Sequence, residues 1–86
     1  MYTGKTKSGF KFEVDETRFN DMEYIELVVE AQKNILSLPA VVEKLLGAEQ
    51  KKALYEHVRT DDGRVPIEAI DAEINEIIDA NEEIKN

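Results

Sequence analysis

Eighty-six residues are enough for one compact domain and too few for two, because a chain this short buries only somewhat more than ~60% of its unfolded surface. Apolar residues make up 42% and charged residues 35%, with no glycine or serine tract, which is the composition of a folded chain and not of a disordered one. A formal charge of -8 with scattered Lys and Arg sets nucleic acid aside as a partner; the absence of cysteine removes disulfides, thiol nucleophiles and cysteine-ligated metals; and the short apolar runs exclude a membrane span or signal peptide, so the default expectation is a cytoplasmic chain.

The chain begins with "YTGKTKSGFKFEVDE". Phe10, Phe12 and Val14 alternate with Lys11 and Glu13, the period-two pattern of a strand with one buried face. Ser8-Gly9 before it supplies the positive backbone angles of a tight turn, so Tyr2 to Lys7 is expected to pair back as a hairpin. An isolated hairpin is marginal in water, so its aromatic face has to rest on the helices that follow.

After Phe19 the pattern becomes helical. Asn20 with Glu23 three residues on resembles a capping box, and Met22, Ile25, Val28 and Val29 recur at helical spacing, predicting a helix over about 21–33. Asn34 to Leu36 breaks it. Pro39, suited to a first turn because it has no amide hydrogen, then opens a short helix whose apolar side is Val41, Val42, Leu45 and Leu46 and which Gly47 ends. A further helix is expected over about 48–59, with Leu54, Tyr55 and Val58 inward, followed by the turn signal Thr60-Asp61-Asp62-Gly63.

Pro66 opens the longest predicted helix, to about Glu83, which would span roughly 27 Å at the standard rise. Ile67, Ile70, Ile74, Ile77 and Ile84 fall at alternating three and four spacing once Asn81 fills the position between the last two, with Ile78 beside them, which is a heptad seam. The expected fold is therefore α+β, mostly α: one domain over 1–86, with a short N-terminal β-hairpin over 1–15 and about four helices over 20–86, the last one longest.

Nothing in the residues points to catalysis or to a cofactor. His57 is the only histidine; its neighbour Glu56 points about 100° away on the same helix, and His57 is better placed as a last-turn residue favourable to the helix dipole. "TDDGRVPIEAI" has the look of half a calcium-binding loop, but setting Gly63 at the glycine position puts Val58 and Ala69 at the first and last ligand positions, where neither can coordinate. The acid groups Glu73 with Glu76, and Asp79 with Glu82 and Glu83, lack the Glu-x-x-His spacing of di-metal bundles and fit a solvated face. Gly4 and Gly9 are turn glycines and not a phosphate cradle, since no helix starts after them.

The last helix stands above this background. Residues 66–86 hold seven acids and one lysine, so the acidity of the chain is concentrated there. Two roles are open to its isoleucines: the inner wall of the domain, or a docking surface where a long helix overhangs a small core. The second reading makes Ile74, Ile77, Ile78 and Ile84, with Glu73 and Glu76 beside them, the candidate partner-binding residues. Acids three and four apart repel by a few tenths of a kcal/mol per pair, which a basic partner would relieve in a salt-sensitive way.

Three stretches, "TKSGFKFEVDE" at 6–16, "LLGAEQKKAL" at 45–54 and "DDGRVPIEAI" at 61–70, together resemble the small tail assembly chaperones of long-tailed phages and prophages of Gram-positive bacteria. The resemblance covers most of the chain in order, and its motifs are packing and turn motifs. It implies a non-enzymatic protein that binds the tape measure protein, keeps that long helical chain soluble and helps recruit tail tube subunits, in some members with a longer form made by ribosomal frameshifting. Self-association as a homo-oligomer, or binding to long helical segments, is the corresponding expectation. The rival expectation is a small acidic regulatory or antitoxin-like module that forms one stoichiometric complex with a folded basic partner.

Overall fold

The computed structural model describes the backbone of residues 2–85 and the side chains of residues 2–80. Strands β1 (Tyr2–Lys5) and β2 (Lys11–Val14) form an antiparallel hairpin in which Tyr2 faces Val14, Thr3 faces Glu13, Gly4 faces Phe12 and Lys5 faces Lys11. The loop closes with the Gly9 amide donating to the Thr6 carbonyl and the Thr6 amide to the Phe10 carbonyl, each at 2.9 Å. This is a turn followed by a bulge residue in the left-handed region, and Gly9 (φ 97°) takes that position alone; Ser8, expected to share it, keeps a negative φ. Phe10, Phe12 and Val14 are buried while Lys11 and Glu13 are exposed, as the alternation requires.

A single 3₁₀ turn, Glu16–Arg18, follows, with the Asp15 carboxylate accepting from the Thr17 amide and hydroxyl. Helix α1 (Met22–Lys33) is capped by Asp21 and not by Asn20: Asp21 has the extended backbone of a cap, and its carboxylate accepts from the Glu23 amide at 2.9 Å. Of the four residues that mark this helix in the sequence, only Val28 lies on its inner face. Tyr24 is the buried residue, edge-on to Phe19 with ring centroids 5.7 Å apart, and Leu27, Val28 and Ala31 complete a half-buried stripe below it. Burying the large aromatic turns Met22, Ile25 and Val29 outward.

After a second 3₁₀ turn, Ile35–Ser37, the two central helices expected from the sequence appear as one element, α2 (Leu38–Val58), broken at Gly47, whose φ of 82° and ψ of 165° are not helical. The fold thus has three helices where about four were expected, and α2 with 21 residues exceeds α3 (Ile67–Lys85) with 19, although α3 is the longest unbroken one. Leu38, Val41, Val42, Leu45, Leu46 and Leu54 of α2 form the centre of the core, closed by the hairpin on one side and by Ile70, Ile74 and Ile77 of α3 on another. Between α2 and α3 the Thr60-to-Gly63 turn forms where it is expected, with the Gly63 amide on the Thr60 carbonyl at 2.9 Å. The Pro66 carbonyl, just before α3, accepts from the Ile70 amide. Among the described residues, no helix is long and apolar enough to cross a membrane.

Three aspartates at turns and caps give the fold a defined response to acid. The Glu23 amide, with Lys44 nearby, holds Asp21 below the ordinary aspartate value of about 3.9; the Thr17 amide and hydroxyl do the same for Asp15, and the Thr60 hydroxyl and Arg64 amide for Asp62. A depressed folded-state pKa gives stability that is fully present above the unfolded value and is lost as pH falls through the folded one, so the loss begins below about pH 4. Asp21→Asn keeps a capping oxygen but removes the titration. Its denaturation midpoint, followed by circular dichroism between pH 2 and 5 (roughly the range these groups span), is expected to change less with pH than that of the parent protein.

Candidate docking surface

The isoleucine face of α3 turns mostly inward. Ile77 is 0% exposed and Ile74 2%, so both, expected on a docking surface, are core residues of this chain. Ile78 is half-buried, and the side chain of Ile84 lies outside the described residues. Glu73 is also buried: Thr6 Oγ1 donates to its Oε1 at 2.8 Å and Ser8 Oγ to its Oε2 at 3.0 Å. Glu76 Oε2 accepts from the Lys7 amide at 2.7 Å. The hairpin turn, a cluster of hydroxyl and amide donors, therefore sits on the stretch of α3 that helix length alone marks as overhang. The two carboxylates satisfy the chain's own donors.

The same contact brings His57 to partners that its sequence neighbours do not supply. Ser8 Oγ lies 3.0 Å from His57 Nε2, and Phe10 stacks obliquely on the imidazole with centroids 5.6 Å apart. The order of the groups decides their chemistry. Ser8 has one hydroxyl hydrogen; with the Glu73 carboxylate accepting it, the Ser8–His57 bond runs from His57 Nε2–H to Ser8 Oγ. In that arrangement the imidazole donates to the serine and does not take its proton. The three groups form a clasp that ties the hairpin turn to the end of α2 and the middle of α3. In the Thr60-to-Gly63 turn, Asp62 is engaged by the Thr60 hydroxyl and by Arg64, and among the described residues no group of His, Cys, Asp and Glu is arranged to hold a metal ion.

Exposed apolar surface lies elsewhere. On α1, Met22 is 72% exposed, and Ile25 and Val29 also face solvent. At 100° per residue these three fall within a sector of about 60°, and Glu23, Glu26 and Glu30 fall in the adjoining one. Lys44 reaches Asp21 at 3.3 Å and Glu23 at 3.6 Å at the N-terminal end of the acid row. Between α1 and α3 runs a groove of about 380 Å³, walled by Val28 and Ala31 on one side and Ile74 and Ile78 on the other. It adjoins, at Ile35 and Leu38, an apolar hollow of about 220 Å³ bordered by Leu36, Tyr55 and Ile67. Leu36, at 81%, is the most exposed large apolar side chain among the described residues.

This surface had a sequence signal. Residues 22, 25 and 29 and residues 24, 27, 28 and 31 are both apolar rows at helical spacing, so α1 carries more apolar residues than one buried face can use. One row had to remain outside. No protein-family model matches the chain, and neither a curated protein nor a solved structure matches it.

Proposed function

We propose that the chain is a non-enzymatic tail assembly chaperone of the kind its sequence resembles, binding amphipathic helical segments of the tape measure protein and assisting tail tube assembly. The observation that carries the reading is the exposed row Met22, Ile25 and Val29, flanked by Glu23, Glu26 and Glu30, on a helix whose opposite side is already buried. An apolar stripe beside an acidic one is complementary to a helix with an apolar face and basic flanks. Burial of apolar surface at ~25 cal/mol per Å² supplies the attraction, and the charges govern encounter and choice of partner. The groove between α1 and α3 offers adjacent apolar ground.

The test uses a synthetic amphipathic helix with a leucine face and lysine flanks, beside a version with glutamate flanks. The lysine form is expected to bind and to weaken as salt is raised; the glutamate form is expected not to bind. Ile25→Ser combined with Val29→Ser is expected to lower affinity tenfold or more, while the melting temperature stays close to that of the parent because both side chains are already exposed. Equal binding of the two peptides, or full binding by the double variant, overturns the reading. A single stoichiometric complex with a folded basic protein, and no affinity for isolated helices, would favour the antitoxin-like alternative.

A further inference from the structure

The two edges of the hairpin are treated differently. In an antiparallel pair, residues alternate between those that exchange hydrogen bonds with the opposite strand and those whose amide and carbonyl point away from it. The Thr6 amide bonds the Phe10 carbonyl, so with the observed register Gly4 with Phe12 and Tyr2 with Val14 are the bonded pairs. Thr3, Lys5, Lys11 and Glu13 then direct their backbone groups outward. On the β2 side this is seen directly: the Glu13 amide donates to Gln50 Oε1 at 2.7 Å, and Gln50 Nε2 donates to the Glu13 carbonyl at 2.6 Å. One side-chain amide of α2 occupies the place of a third strand's peptide group. On the β1 side, Thr3 and Lys5 are exposed, and their backbone groups have no partner among the described residues.

We propose that the outer edge of β1 is a second interaction surface, which takes an extended acidic segment of another protein as a third strand. The free edge supplies two amides and two carbonyls in register, the requirement for strand addition. Charge selects the occupant. Lys5 and Lys11 stand directly opposite each other at a non-hydrogen-bonded pair, where side chains are closest, and neither has an ion-pair partner among the described residues; Lys7 adds a third positive charge at the turn. Like charges in that position are destabilising, and an acidic side chain beside Lys5 on an added strand relieves them. A second copy of this chain is the poorer occupant, because pairing β1 with β1 would bring two such lysine pairs onto one sheet face. The surface is distinct from the apolar row of α1, and the proposal does not depend on the chaperone reading.

The probe is a ten-residue peptide of alternating threonine and glutamate, with a lysine-for-glutamate counterpart as control, and the readout is amide hydrogen exchange by NMR. Saturating acidic peptide is expected to slow exchange of the Thr3 and Lys5 amides tenfold or more, with little change at Gly4, whose amide already bonds within the hairpin. Thr3→Pro removes an outward amide without touching a β1–β2 bond and is expected to abolish the effect. Lys5→Glu keeps every backbone group but leaves only Lys11 and Lys7 as cations, and is expected to remove the preference for the acidic peptide, so the test holds even if the proline variant folds poorly. The proposal fails if neither amide is protected or if both peptides protect equally. Protection that appears without peptide and grows with protein concentration would assign the edge to a second copy and overturn it as well.

Discussion

Replacing Ile77 by alanine is expected to destabilise the protein by ~2–5 kcal/mol, the usual cost of truncating a fully buried aliphatic side chain in a core that relaxes only partly. Ile77 is 0% exposed and belongs to the same cluster as Leu45, Leu54 and Val14. For a domain of this size, at ~0.05–0.15 kcal/mol per residue, such a loss is a large share of the whole. Each kcal/mol lowers the melting temperature by roughly 4–8 °C, so a scan of thermal unfolding suffices to see it. Ile67→Ala is the control on the same helix: Ile67 is 58% exposed and is expected to change stability by no more than about 0.5 kcal/mol. The comparison decides between the two roles that the isoleucine seam leaves open. If Ile77→Ala is as mild as Ile67→Ala, α3 does not close the core and its isoleucines return to the docking surface.

The elements were legible because their signals are local. Alternation of Phe10, Phe12 and Val14 marks a strand, Gly9 and the Thr60-to-Gly63 turn form where their residue types place them, and α1 begins within one residue of its predicted start. What is buried was less legible, because burial depends on residues far apart in the chain. Ser8 meets Glu73 across 65 positions and Gln50 meets Glu13 across 37; no periodicity encodes either meeting. The heptad spacing of α3 correctly marks one apolar face but leaves open whether that face meets α2 or another protein. On α1 the ambiguity is rotational. Two apolar rows compete for the core, and the one holding Tyr24 wins because its ring packs against Phe19. The exposed, acid-flanked apolar row expected on the last helix is therefore found on the first.

Gly47→Ala is expected to cost ~1–3 kcal/mol through backbone strain alone. At φ 82° and ψ 165° the residue occupies a region almost reserved for glycine, whereas the space around it is open: a Cβ would find Arg18 Nη2 no nearer than 3.9 Å. Strain and crowding can be separated by synthesis, since D-alanine takes a positive φ with an extended ψ as its ordinary β conformation. A protein carrying D-alanine in place of Gly47 is expected to keep the parent stability that the L-alanine variant loses. The break also sets where the second arm of α2 points. Gln50, which holds Glu13, and His57, which holds Ser8, both lie on the arm beyond the break at Gly47, and a helix continued through position 47 is expected to direct both side chains away from the hairpin. L-alanine should therefore speed exchange of the Glu13 amide beyond what the global destabilisation accounts for, exposing the β2 edge that Gln50 covers. If L- and D-alanine are equally tolerated and the Glu13 amide stays protected, Gly47 does not govern the bend.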